Sequence, residues 1–224
     1  MIELLHLDEH VAVVNKPSGL LVHRGWAQDR DVAMTALRDR LGRHVYPVHR
    51  LDRGTSGALA FALDSDTARL LHERFENGEV HKRYLALVRG IPPDAGVIDH
   101  PIPRRPDGPR VDAVTEFRRL HVFERWSIVE AVPRTGRLHQ IRRHLRHLGH
   151  PIIGDVNYGS GEHNRIFRTR FALHRLALHA LELAFPHPVS GAPLHAYAPL
   201  PPELAAAFAA MGFSAPAPPA PAPG

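Results

Sequence analysis

Two short apolar runs, residues 2–7 and 10–14, open the chain on either side of Asp8-Glu9, which predicts a β-hairpin. Lys16-Pro17-Ser18-Gly19 then breaks the strand, because proline lacks an N–H and glycine permits positive φ. Over residues 31–41, Val32, Ala36, Leu37 and Leu41 fall roughly on one helical face, with Gly42 as a stop. Residues 57–63 (GALAFAL) read as a short buried strand. Ser65 is expected to cap the following helix, where Ala68, Leu71 and Phe75 recur at helical spacing before Gly78. Residues 83–88 return as a strand.

Further along, residues 101–110 read as a proline-rich loop, and 111–122 and 126–132 as two strands around a turn. A helix is predicted over 136–148, where Leu138, Ile141, Leu145 and Leu148 form one apolar stripe and leave the arginines the remaining faces. The polar, glycine-containing stretch 155–169 reads as loop. Strands follow at 176–185 and 194–198, then a helix at 203–211. Residues 214–224 form a Pro/Ala-rich tail expected to be extended and disordered. There is no internal repeat. Interspersed strands and helices predict an α/β (α+β) fold, a mixed, mainly antiparallel sheet with helices outside, in a single domain spanning 1–213.

Composition narrows the class. The 224 residues are 44% hydrophobic and 23% charged, unlike a disordered chain, and no run approaches the roughly 18 apolar residues of a membrane span. The absence of cysteine excludes a disulfide scaffold, a cysteine nucleophile and a thiolate metal site. The first residues lack a basic start followed by an apolar stretch, so the cytoplasm is the expected location. The net charge of +5 is modest, but its distribution is uneven. Residues 131–154 contain no acidic residue, yet carry Arg134, Arg137, Arg142, Arg143 and Arg146 with four histidines. Such a block attracts phosphates, although a solvated helix face has the same composition.

The densest polar cluster is His49-Arg50-Leu51-Asp52-Arg53-Gly54-Thr55-Ser56-Gly57, placed just before the buried strand. Polar loops delivered by a strand commonly hold catalytic groups, and flanking guanidinium groups favour an ionised carboxylate able to act as nucleophile or base. On composition alone, a surface ion pair in a turn is the stronger reading. His144, His147 and His150 have H-x-x-H-x-x-H spacing, but on a helix the third ring rotates away from the first two, so no metal site is expected.

The string HRLDRGTSG resembles the catalytic loop of the RluA-type pseudouridine synthases. Asn15-Lys16-Pro17-Ser18-Gly19, Lys82-Arg83-Tyr84, Thr135-Gly136-Arg137-Leu138-His139-Gln140-Ile141-Arg142, His150-Pro151-Ile152-Ile153-Gly154-Asp155 and Leu178-His179-Ala180 resemble further motifs of that family, in its order, over residues 2–200. Leu21-Val22-His23-Arg24, Arg142-Arg143-His144-Leu145, Asn164 and His174-Arg175-Leu176 are similar to its tRNA-modifying branch.

The resemblance implies the pseudouridine synthase fold, a bent sheet with a central catalytic cleft. It also implies isomerisation of uridine to pseudouridine in tRNA, at uridine 65, by a monomer with no cofactor or metal. By motif, Asp52 is the catalytic aspartate, acting as nucleophile on C1′ or assisting glycal formation, Tyr84 packs on the base, Arg142 pairs with the aspartate, Arg50 displaces the target nucleotide and Leu178 lines the substrate site. Arg53, Arg137, Arg143 and Arg146 are expected to contact the RNA. Lys16 and Arg24 could also reach it, though each reads more simply as a surface charge. No small RNA-binding module precedes Ile2, so recognition is expected from the catalytic domain itself. The rivals are the same chemistry on ribosomal RNA, a non-catalytic RNA-binding factor on this scaffold, and a glycoside or nucleoside hydrolase. The last would ordinarily need a second carboxylate, which the motifs do not supply.

Overall fold

The computed structural model describes residues 2–23, 32–104 and 108–217. In chain order its elements are β1 (Glu3–Leu7), β2 (Val11–Lys16), α1 (Ala33–Leu41), β3 (Tyr46–Pro47), β4 (Ser56–Ala62), α2 (Ser65–Glu76), β5 (His81–Arg89), β6 (Ala95–Asp99), β7 (Ile102–Pro103), β8 (Arg110–Val111), β9 (Val114–Phe123), β10 (Trp126–Pro133), α3 (Gln140–His147), α4 (Gly161–Phe171), β11 (Leu178–Pro186), β12 (Pro193–Tyr197) and α5 (Pro202–Ala210). The main sheet runs β1-β2-β4-β11-β5-β10-β9-β6, with β3 paired to β4 and β12 to β11, while β7 and β8 form a separate ribbon. Among these strand pairs only β4–β11 is parallel. The fold is therefore α+β with a mainly antiparallel sheet.

Period-2 alternation divides the core between the two faces of the sheet. Ala12, Val14, Leu59 and Phe61 enter one apolar cluster, while Val11, Val13, Ala58, Ala60 and Ala62 enter the other. Helix α2 contributes Ala68 and Leu71 to the second cluster. Helices α1, α3, α4 and α5 contribute Leu37, Leu145, Phe167 and Phe208 to the first. With both faces covered, all seven residues of β4 are buried, which explains the unbroken apolar run of its sequence. At its start Gly57 has φ +117°, and a Cβ there would lie 2.1 Å from the Ala180 carbonyl oxygen. A side chain at this position would separate β4 from its parallel neighbour β11.

Several sequence expectations are corrected. The helix cap is Asp64, not Ser65: its carboxylate accepts from the Thr67 N–H at 2.7 Å. Ala36 is exposed, and Val32, Ala33 and Leu37 make the buried side of α1. The loop at 101–110 contains β7 and the start of β8. Helix α3 begins at Gln140 rather than 136, because His139 sits in the left-handed region at φ 56°. Its arginines do not all face outward, since Arg142 is buried with His144. The stretch 155–169 includes most of α4, whose buried residues are His163, Asn164 and Phe167. Two of those three are polar, so the hydrophobic pattern is silent there. Of the tail, Ala215 packs on the core and Pro216 accepts from the Tyr197 hydroxyl at 2.7 Å, while residues 218–224 lie outside the described residues, as does Arg24.

Candidate active site

Asp52 stands in the turn that delivers the chain into β4. Behind the turn, Leu51 is buried, and the Asp52 carbonyl accepts from the Thr55 N–H at 3.0 Å. The Lys16–Leu20 turn docks against it. Ser18 Oγ donates to the Gly54 carbonyl at 2.8 Å, Arg53 Nε to the Gly19 carbonyl at 3.0 Å, and the Gly19 N–H to the Arg53 carbonyl at 2.8 Å. Lys16 is fully buried, with Nζ donating to the carbonyls of Pro17 at 3.0 Å and Leu20 at 2.7 Å. Burial, and then the charge of Arg175, push its ammonium down to about 7. Lys16 is therefore an internal tie of the Asp52 loop and not a surface charge.

A second tie lies on the strand side. His49 Nε2 accepts from the Ala60 N–H at 3.0 Å, and burial followed by the Lys82 charge pushes its imidazole down to about 3. The ring is thus neutral and fixes the approach to β4. Further back, Ser56 Oγ lies 2.7 Å from His179 Nδ1 and accepts from Arg175 Nη2 at 2.6 Å, linking the starts of β4 and β11.

The Asp52 carboxylate meets α3 across the cleft. Arg142 Nη1 donates to Asp52 Oδ2 at 3.0 Å. The other edge of the same guanidinium grips Asp155: Nε donates to Oδ2 at 2.7 Å and Nη2 to Oδ1 at 2.9 Å. Asp155 Oδ1 also accepts the N–H groups of Asn157 at 2.9 Å and Tyr158 at 3.0 Å. Side-chain exposure falls from 15% at Asp52 to 8% at Arg142 and 0% at Asp155, so the chain of charges runs from the cleft into the interior. Burial opposes the charges of Arg142 and Asp155, but their mutual pairing outweighs it, raising the guanidinium and lowering the carboxyl. The loop bearing Asp155 is fixed by Gly154, where a Cβ would lie 1.9 Å from the Arg175 carbonyl oxygen, and by Asn164 Nδ2 donating to the Asp155 carbonyl at 3.0 Å.

Tyr84, from the middle of β5, lines the same cleft, and burial together with the Asp52 charge raises its phenol well above the ordinary tyrosine range. It stays protonated and presents an aromatic wall. His139 completes the rim, with Nε2 3.8 Å from Asp52 Oδ1. The cleft encloses about 620 Å³. Leu178 and Ile141 supply apolar lining, and Arg50, Lys82, Arg134 and Arg137 bring positive charge to it.

The structure thus brings together Asp52, Tyr84, Arg142, Leu178, Arg50 and Arg137. It does not bring Arg53, Arg143 or Arg146 to the cleft. Arg53 ties its own loop, Arg143 donates to Tyr158 Oη at 2.9 Å and the Pro103 carbonyl at 2.9 Å, and Arg146 donates to the Tyr158 carbonyl at 2.9 Å. The three histidines of H-x-x-H-x-x-H serve different neighbours. His144 bridges Thr115 Oγ1 and the His100 carbonyl, His147 stacks on His100 with ring centres 3.6 Å apart, and His150 bonds the Arg89 carbonyl.

Asp155 and His139 lie within the family-like motifs, but nothing in the motifs shows that one anchors Arg142 and the other approaches Asp52. Both partnerships need tertiary structure. Gln140 was similarly silent, although its side chain shapes the turn before α3 by accepting from the Arg137 N–H at 2.9 Å and donating to the Val114 carbonyl at 2.9 Å.

A profile of the RNA pseudouridylate synthase family matches residues 10–147. A tRNA pseudouridine synthase C of Pectobacterium carotovorum subsp. carotovorum is 46% identical over 87% of this chain, which spans 58% of that protein's length. A tRNA pseudouridine synthase C of Vibrio cholerae is 43% identical over 87% of this chain and 89% of its own. Among solved structures, human RNA pseudouridylate synthase domain containing 4 superposes with a TM-score of 0.79 at 29% identity, covering 96% of this chain and 95% of its own.

Proposed function

The chain belongs to the RNA pseudouridylate synthase family, and from that premise we propose that it isomerises uridine to pseudouridine in tRNA, with Asp52 as nucleophile. One observation carries the assignment of Asp52: it lines the cleft with Oδ2 held by Arg142, while Oδ1 has no hydrogen bond among the described residues and lies 3.8 Å from His139 Nε2. A carboxylate pinned by one oxygen and open at the other is oriented for attack.

The target nucleotide must leave its stack to reach such a group, at a cost of a few kcal/mol. The cationic rim of Arg50, Lys82 and Arg137 offsets this by phosphate contacts, Arg134 being paired with Glu116. Asp52 Oδ1 attacks C1′ as the C1′–N1 bond breaks, and the uracil departs as an anion. The base turns against the face of Tyr84. C5 then attacks C1′ as the Oδ1–C1′ bond breaks, C5 loses its proton and N1 gains one. Atoms and charge balance, with no oxidation. Arg142, anchored by Asp155, keeps Asp52 in one orientation through both displacements.

We assign the target as uridine 65 on the likeness to the tRNA enzymes. The expected setting is the cytoplasm, and the expected active species is a monomer. Among the described residues no helix is long and apolar enough to cross a membrane. The experiment is a pseudouridine map, by carbodiimide-stop sequencing, of total RNA from cells with and without the gene. Loss at tRNA position 65 supports the assignment. Loss confined to ribosomal RNA would overturn the substrate, and an unchanged map would overturn the activity.

A further inference from the structure

His139 is held in the left-handed region at φ 56°, which β-carbon-bearing residues adopt sparingly and which turns its ring toward the cleft. Its hydrogen bonds form a directed chain. Arg143 Nε can only donate, and donates to Tyr158 Oη at 2.9 Å. Tyr158 Oη lies 3.1 Å from His139 Nδ1, and in the assignment made below the phenol hydrogen goes to Nδ1. The imidazole proton then resides on Nε2, the atom 3.8 Å from Asp52 Oδ1. The charged and titratable groups around the ring are Asp52, Arg142, Arg143, Asp155 and Tyr158, and burial is the largest influence, lowering the imidazole below its ordinary range. A neutral ring with its hydrogen on Nε2 is a fixed donor at the reacting carboxylate.

The separation of 3.8 Å exceeds a hydrogen bond. It suits a hydroxyl seated between the two groups, accepting from Nε2–H and donating to Oδ1. The ribose hydroxyl adjacent to C1′ is the 2′-hydroxyl, the group by which a protein distinguishes RNA from DNA. Resting on the isomerase reading above, we infer that His139 is a substrate-contacting residue that binds the 2′-hydroxyl of the everted uridine together with Asp52, its tautomer set by the Arg143–Tyr158 relay.

The test is a cycle of enzyme and substrate. Wild type and His139→Asn act on tRNA transcripts carrying either uridine or 2′-deoxyuridine at the target. Asparagine tolerates the left-handed backbone and so preserves the turn. On uridine the variant is expected to lose on the order of ten-fold in kcat/KM. On deoxyuridine the two enzymes are expected to be equal, because the contact is already missing. In parallel, ¹⁵N spectra of the ring should report hydrogen on Nε2 in the wild type, and a loss of that fixed tautomer in Tyr158→Phe. If the two losses multiply independently, or if the hydrogen is on Nδ1, the contact is overturned while the isomerase reading stands. A wild type that forms no pseudouridine from uridine would overturn the isomerase reading and this contact with it.

Discussion

Two arginines in this molecule each sit between two carboxylates, on opposite sides of one strand. Tyr84 faces the cleft, and beyond it Arg142 lies between Asp52 and Asp155. The preceding residue on β5, Arg83, bonds Glu130 of β10 at 2.9 Å and Glu182 of β11. The ingredients match, but the saturation of the oxygens differs. Glu130 is bonded on both oxygens, by Arg83 and by Arg118 at 3.2 Å. Glu182 is bonded by Arg83 on one and by His195 at 3.4 Å on the other. Asp155 is equally closed. Of these four carboxylates only Asp52 lines the cleft, and among the described residues none of its side-chain hydrogen bonds falls on Oδ1. Charge composition therefore does not separate a structural ion network from a reactive one. The separating feature is a single coordination position left open toward substrate.

That contrast is most sharply broken at its open end. Asp52→Asn keeps the shape and removes the proposed nucleophile, so single-turnover pseudouridine formation on tRNA should fall on the order of 10³-fold or more, while filter binding of tRNA persists. Asp155→Asn attacks the anchor. It leaves a buried guanidinium poorly paired, and should cost about 3–5 kcal/mol in urea unfolding and lower kcat by about 10²-fold as Arg142 loses its register on Asp52. In the closed network, Glu182→Gln should cost about 1–2 kcal/mol by the same unfolding measurement and leave kcat at the wild-type value. A fall in kcat there comparable to that of Asp155→Asn would erase the distinction between the two arginines. The smallest effect is expected at the rim. Arg137→Ala should raise KM more than it lowers kcat, and reduce the slope of log affinity against log salt by about 1.

What the sequence reveals follows the range of each interaction. The hairpin, β4 and α2 are local patterns with apolar periods of two or 3.6, and they are legible. Helix α4 is hidden because its buried face includes His163 and Asn164, whose satisfaction comes from Trp126 Nε1 and from the Gly154 and Asp155 backbone. Asp52 stands out as a candidate through the family resemblance of its motif, since composition alone favours a surface ion pair there. Its supports do not stand out, because Arg142 meets Asp52 across 90 residues. Lys16 misled for a related reason: a lysine beside a proline and a glycine resembles a solvated turn, and only the fold shows three carbonyls gathered around its ammonium, those of Pro17, Leu20 and Arg53. Arg143 and Arg146 look like phosphate contacts in a basic stretch, and the fold places both outside the cleft lining, bonded to Tyr158 and, for Arg143, also to the Pro103 carbonyl.

The open oxygen of Asp52 is most directly tested by tritium release from tRNA labelled at C5 of uridine. Wild-type enzyme should release tritium in step with pseudouridine and free no uracil, whereas Asp52→Asn, still binding tRNA, should release none. Tritium released by the asparagine variant at the wild-type rate, or uracil set free by the wild type, would contradict the account.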